Sequence, residues 1–156
     1  KERGITMDLG DAVLIHAGGW KKMQEYAVDN KTFQKSLREV FGSRFRIHNF
    51  YGMVEQTGSV YVECEQNHFL VSNFSEMIVR DPLTLEVLPF RTTGVIETMS
   101  VLPLSYPGVA ILTEDMGEIL GEDDCPCGRK GKYFEFRGRI PKAEVRGCSD
   151  VYSLGK

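Results

Sequence analysis

Apolar and polar positions follow two rhythms along this chain. In the first part, AVLIHAGGW (12–20) is a short apolar run ending in two glycines. It predicts a buried strand running into a loop where backbone must come close to something. Residues 30–42 then place Phe33, Leu37, Val40 and Phe41 at i, i+4, i+7 and i+8, one face of a 3.6-residue period and so a helix. Asn30 is suited to cap its start and Gly42 to close its end. FRIHNF (45–50) follows as a second strand. A strand, helix, strand order with glycines at a strand's C-terminal end predicts an α/β layer, and such layers bind ligands at that edge.

From about residue 65 the rhythm changes. MIVR (77–80), LEVLPF (85–90), TGVIETMSVL (93–102), GVAILTED (108–115), MGEIL (116–120) and KYFEFRGRI (132–140) are short β-prone runs. Asp81-Pro82, Pro103, Pro107-Gly108 and Cys125-Pro126 break them, as turn residues do. MIVRDPLTLEVLPF reads as a hairpin turning at residues 81–84. The fold expected is α/β in the mixed α+β sense: an α/β layer over 1–64, a small, mostly antiparallel, barrel-like part over 65–137, and a tail over 138–156.

Composition narrows the class. Of 156 residues 42% are apolar and 26% charged, with net charge −3. These are ordinary values for a chain that buries a core, and they imply no general affinity for nucleic acid. No apolar run approaches the roughly 20 residues that span a bilayer, and KERGITMDLGD has no apolar region of the signal-peptide kind; a cytoplasmic location is expected. Four cysteines at uneven spacing suggest a metal or reactive thiols more than a disulfide framework. The basic residues of the C-terminal part, Arg129 to Arg146, are solvated strand faces or, for one or two of them, phosphate contacts.

Cys64 and His68 lie four apart, and Cys125-Pro-Cys127 follows 57 residues after His68. Three thiolates and an imidazole match a closed tetrahedral zinc site. The Cys-Pro-Cys-Gly turn would point two sulfurs inward, and Cys64 and His68 would share a face if their segment were helical. Free thiols beside a surface histidine are the alternative.

YGMVEQTG (51–58) asks for more than a turn: a ring, backbone room and a carboxylate occur together. In order with AGGW upstream, TED (113–115) and GRIPKAEVRG (138–147), it resembles the adenylate-forming superfamily. Within it the chain is most similar to the phenylacetate–CoA ligase branch and, in FRGRIPKAEVRGCSD, to the acyl-protein synthetases of bacterial luminescence. The resemblance covers about residues 10–150. It implies ATP-dependent activation of a fatty or other carboxylic acid to an acyl-adenylate, followed by transfer to a thiol. It also implies roles: Gly18 and Gly19 line the adenine and acyl pocket, Tyr51 stacks on adenine and Gly52 gives the nucleotide room. Glu55 holds magnesium, Asp115 takes the ribose hydroxyls and Arg139 helps position ribose or phosphate. Val54 departs from the family's threonine there, and Thr57 is the nearest substitute hydroxyl. Read singly, Tyr51 also fits a core aromatic, Glu55 an acid at a helix start and Asp115 a turn residue.

No phosphate loop of the family's type precedes AGGW, and no lid with a catalytic lysine follows Cys148. The resemblance therefore implies the back half of an adenylating enzyme, inactive by itself and ending at the hinge. Acyl-protein synthetases carry the acyl group on a cysteine near their C-terminus, which makes Cys148 the expected acceptor, with Arg146 and Lys142 favouring its thiolate. An acyl-reductase or acyl carrier would be the partner. Transfer to CoA, or a zinc-stabilised interaction module without catalysis, are the competing functions.

Overall fold

The computed structural model describes residues 4–17, 19, 25–104 and 107–140. Strand β1 (Val13–Ala17) runs parallel to β2 (Arg46–Gly52), joined through helix α1 (Asn30–Phe41). Strand β3 (Val60–Val62) adds antiparallel to β2, giving a three-stranded sheet in the order β1-β2-β3. The helix is capped one residue earlier than its pattern suggests. Asp29, in extended conformation, accepts from the Thr32 N–H at 3.0 Å, a cap worth about 1 kcal/mol; Asn30 is the first helical residue and instead bonds Glu63. Gly42 closes the other end at φ 99°, its N–H bonded to the Arg38 carbonyl.

Strands β4 (Phe69–Leu70), β5 (Ser75–Arg80), β6 (Gly94–Ser100), β7 (Ala110–Glu122) and β8 (Lys132–Arg139) form a second, antiparallel sheet, in the order β4-β8-β7-β6-β5. It is open: β4 and β5 are its two edges, so the barrel-like expectation is corrected to a five-stranded sheet. The runs GVAILTED and MGEIL are one strand, β7, kept paired through two irregularities against β8. LEVLPF is not a strand. The turn after Asp81 forms, with its carboxylate accepting from the N–H groups of Leu83 and Thr84, but β5 then pairs with β6 and only Val87 bridges Arg80.

The core lies between the sheets. Tyr61 of β3 packs with Phe69, Val71, Met77, Val79, Ile96, Ile119 and Phe134 of the second sheet, with Tyr51 against them. The outer face of the first sheet is different. Val13, Ile15, Val60 and Val62 are exposed, Ile15 by 59%, so β1 is not the buried strand its composition predicts.

Candidate functional site

The seam between the sheets gathers the residues singled out from sequence. β2 delivers the Tyr51 ring against Tyr61, Phe69, Phe134 and Phe136, with centroids 5.7 to 6.4 Å away. Its hydroxyl donates to Asp115 Oδ2 at 2.8 Å. Asp115 sits on β7 in register with Arg139 on β8, and Arg139 Nε lies 3.4 Å from Asp115 Oδ1. Arg139 also pairs with Glu114. Burial first, then the neighbouring Asp115, pushes the Tyr51 hydroxyl well above its ordinary range, so it stays a donor. Three residues spread over almost ninety positions thus meet in one chain of polar contacts. Asp115 keeps unused lone pairs on both oxygens, because a carboxylate offers about four acceptor positions.

Glu55 lies on a short 3-10 turn (Val54–Gln56), exposed and without an ion pair among the described residues. The turn is pinned by its neighbour. Gln56, only 1% exposed, donates to the carbonyls of Thr98 and Gly108 and accepts from the Thr98 hydroxyl. Backbone contact does the rest: a Cβ on Gly108 would stand 1.9 Å from the Glu55 carbonyl oxygen. Val54 is 78% exposed, and the Thr57 hydroxyl donates to the Val54 carbonyl at 3.0 Å. Gly52 is held close on the protein side, since a Cβ there would meet the Ser59 carbonyl at 3.3 Å.

Beside the C-terminal end of β1 lies a cleft of about 220 Å³ lined by His16, Gly19, Val28, Asn30, Phe33 and Asn49. Gly19 adopts φ +105° with open space where a Cβ would be. Two buried polar atoms in this cleft, His16 Nε2 and Asn49 Oδ1, lack hydrogen-bond partners among the described residues. Such atoms are costly unless something fills the site. Behind them the buried Glu63 carboxylate is satisfied by Asn30 Nδ2 and the Asn49 N–H.

At the other end of the seam the cysteines converge. The segment Cys64–His68 is a tight turn, not a helix: the Cys64 N–H bonds the His68 carbonyl, and Asn67 sits at φ 61°. A second turn, from Cys125 to Gly128, faces it. Cys64 Sγ and Cys125 Sγ are 3.9 Å apart, and His68 Nδ1 lies 3.4 Å from Cys125 Sγ. Zinc bonds of about 2.3 Å to sulfur and about 2.0 Å to nitrogen, at tetrahedral angles, would set these edges near 3.8 and 3.5 Å. Cys64, His68 and Cys125 form one metal-capable group, and Cys64, Glu65 and Cys127 another. The donor set therefore fits a thiolate-binding ion. Burial pushes the Cys125 thiol up to about 11, so an ion must displace a proton there. Burial opposes ionisation of Cys127 as well, but the Arg129 N–H and the two other thiols hold it below its ordinary value.

Gly18 and Cys148 lie outside the described residues. Asn49 and Gln56 are the residues the sequence reading missed. Gln56 had one signal, a polar residue directly beside the acid in YGMVEQTG.

The fold is that of part of an adenylate-forming enzyme. Superposition gives a TM-score of 0.66 to an open conformation of 2-hydroxyisobutyryl-CoA ligase, at 20% identity over 83% of this chain and 28% of that one. A long-chain-fatty-acid-CoA ligase from Archaeoglobus fulgidus gives 0.61, at 17% identity over 88% of this chain and 30% of that one. The family Acyl-protein synthetase, LuxE, matches residues 1–155, and the chain belongs to it. Two curated relatives, both long-chain-fatty-acid–luciferin-component ligases, from Vibrio harveyi and Aliivibrio fischeri, are 28% identical over 96% of this chain. The chain spans 39% of the length of each.

Proposed function

We infer that this chain carries part of an ATP-dependent ligase that activates a fatty or other carboxylic acid as its acyl-adenylate and passes the acyl group to a protein cysteine. The observation carrying this reading is the Tyr51–Asp115–Arg139 assembly at the seam, together with the family. Asp115 presents free lone pairs for the two ribose hydroxyls, and Arg139 a cation for ribose or phosphate. In this reading the adenine stacks on Tyr51, with Gly52 giving it room and Gly18 and Gly19 lining its pocket. In the cleft, Asn49 Oδ1 is an acceptor awaiting an amino donor such as the one adenine carries. Glu55, exposed on its pinned turn, offers hard carboxylate oxygen to magnesium, which neutralises phosphate charge as the carboxylic acid displaces pyrophosphate. The Cys148 thiolate then attacks the acyl carbonyl and AMP leaves; residues 138–156 form the hinge and tail bringing it there. An acyl-reductase or acyl carrier takes the product onward, in the cytoplasm. No helix among the described residues is long and apolar enough to cross a membrane. One zinc on Cys64, His68, Cys125 and Cys127 completes the set of ligands.

The test uses the polypeptide of the entire reading frame with ATP and a radiolabelled fatty acid. A hydroxylamine-sensitive acyl-protein that disappears in Cys148→Ser is expected. Label that persists in Cys148→Ser, or that needs added CoA, overturns the acceptor. Asp115→Ala should slow ATP–pyrophosphate exchange by more than about a hundredfold, since each hydrogen bond to a charged acceptor is worth about 1.5–3 kcal/mol. Near-normal exchange removes Asp115 from the site.

A further inference from the structure

The cysteine–histidine cluster holds more donors than a tetrahedral ion takes. Cys64, His68, Cys125 and Cys127 supply four, and the Glu65 carboxylate stands within 4.8 Å of the Cys64 and Cys127 sulfurs. One of the five must be kept out.

One sulfur already meets a backbone donor: the Gln66 N–H points at Cys64 Sγ at 3.4 Å. A neutral thiol is a weak acceptor, so this donor suits a thiolate. Glu65 is treated differently. Arg129 Nη1 and Nη2 grip its two oxygens at 2.5 and 3.0 Å, a bidentate arrangement. The Glu65 carboxylate it holds lies beside Cys127 Sγ, within 4.8 Å, so the guanidinium stands on that sulfur's side of the cluster. Three thiolates around a divalent ion leave one negative charge, which Arg129 offsets. The His68 ring is fixed from outside by stacking on the buried Tyr133 at 5.0 Å.

We propose that Arg129 is the positioning residue that decides the coordination set of this centre, holding Glu65 off the ion and Cys127 on it, so that zinc takes three sulfurs and one imidazole nitrogen. The inference rests on the zinc reading above. Without the guanidinium, the Glu65 oxygens are released beside the metal and Cys127 loses the neighbouring cation. The carboxylate then takes the fourth position, and Cys127 leaves as the thiol.

Cobalt(II) loaded into the protein in place of zinc reports this directly, because sulfur-to-cobalt charge-transfer absorption counts bound thiolates. The parent protein should show three. Arg129→Ala should lower that absorption to about two thirds and weaken zinc about tenfold to a hundredfold, as loss of an outer partner does. Arg129→Ala/Glu65→Gln, which removes the competing charge, should restore the three-thiolate spectrum. Cys127→Ser should give the two-thirds value whether or not Arg129 is present. A full three-thiolate spectrum in Arg129→Ala, or no recovery in the double variant, overturns the role of Arg129 while leaving the zinc site intact. Failure of the parent to bind cobalt or zinc overturns both.

Discussion

The two sheets solve the problem of burial differently. The five-stranded sheet closes its inner face on its own residues and Tyr61: Met77, Ile96 and Phe134 are fully buried. The three-stranded sheet buries one face and leaves Val13, Ile15, Val60 and Val62 of the other open to water. Its helix is also lightly held. The residue of α1 that is buried is Gln34, which bonds Asn67 in the cysteine turn, while the apolar stripe is half covered. Stability therefore resides in one sheet. The other presents chemistry: β1 and β2 carry the cleft and Tyr51 up to a rigid wall supplied by β7 and β8.

The sharpest test of this contrast is Phe134→Ala. It removes a fully buried ring from the middle of the core and should cost about 3–5 kcal/mol in denaturant unfolding; a loss below about 1 kcal/mol would mean the second sheet is not the stable unit. Gln56→Ala comes next. It strips the carbonyls of Thr98 and Gly108 of a buried donor and should cost about 1–3 kcal/mol. Amide exchange should rise around residues 54–59 before it rises in β5–β8, and uniform loosening would contradict the pinning role. Ile15→Thr keeps β-branching and alters only an exposed face, so stability should move by less than about 0.5 kcal/mol. A large loss would show that this face is covered in solution.

The smallest effect concerns acid. The N–H groups of Thr84 and then Leu83 hold Asp81 below its ordinary value of 3.8. A depressed carboxyl stabilises the fold above pH 3.8, and that contribution is lost as pH falls through the depressed value. Asp81→Ala should therefore be less stable than the parent at neutral pH, with the gap closing below pH 3.8. A gap that persists unchanged in acid would assign the effect to something other than this turn.

Much of this was readable from local pattern. The helix with its closing glycine and the strand–helix–strand layer stand in the sequence, because each depends on spacing within an element; Tyr51, Asp115 and Arg139 are joined by the family resemblance, and the cysteine–histidine set by residue type alone. What could not be read depends on partners far along the chain. LEVLPF has strand composition and lies along the free edge of β5, but after the Asp81 turn only Val87 bridges Arg80. β7 continues through TEDMGE because β8 offers register on both sides of the break. The Cys64–His68 spacing of four fits a helix and a turn equally, and the β3–β4 connection selects the turn. Asp29 and Asn30 are both good caps, and the Thr32 N–H and hydroxyl both choose Asp29. Asn49 and Gln56 gained their importance only from burial.

The contact of Gly108 with Glu55 has a mechanical consequence. A Cβ at 108 would stand 1.9 Å from the Glu55 carbonyl oxygen, so a side chain there must push the two backbones apart, and Gln56 ties them with its bond to the Gly108 carbonyl. Position 108 belongs to the connection from β6 to β7, whose Leu104 is almost wholly exposed. Whatever presses on that connection from outside therefore reaches the acidic turn as a displacement, like a lever with its short arm at Glu55. A single missing methyl group thus joins a surface loop and the Glu55 turn into one packed unit.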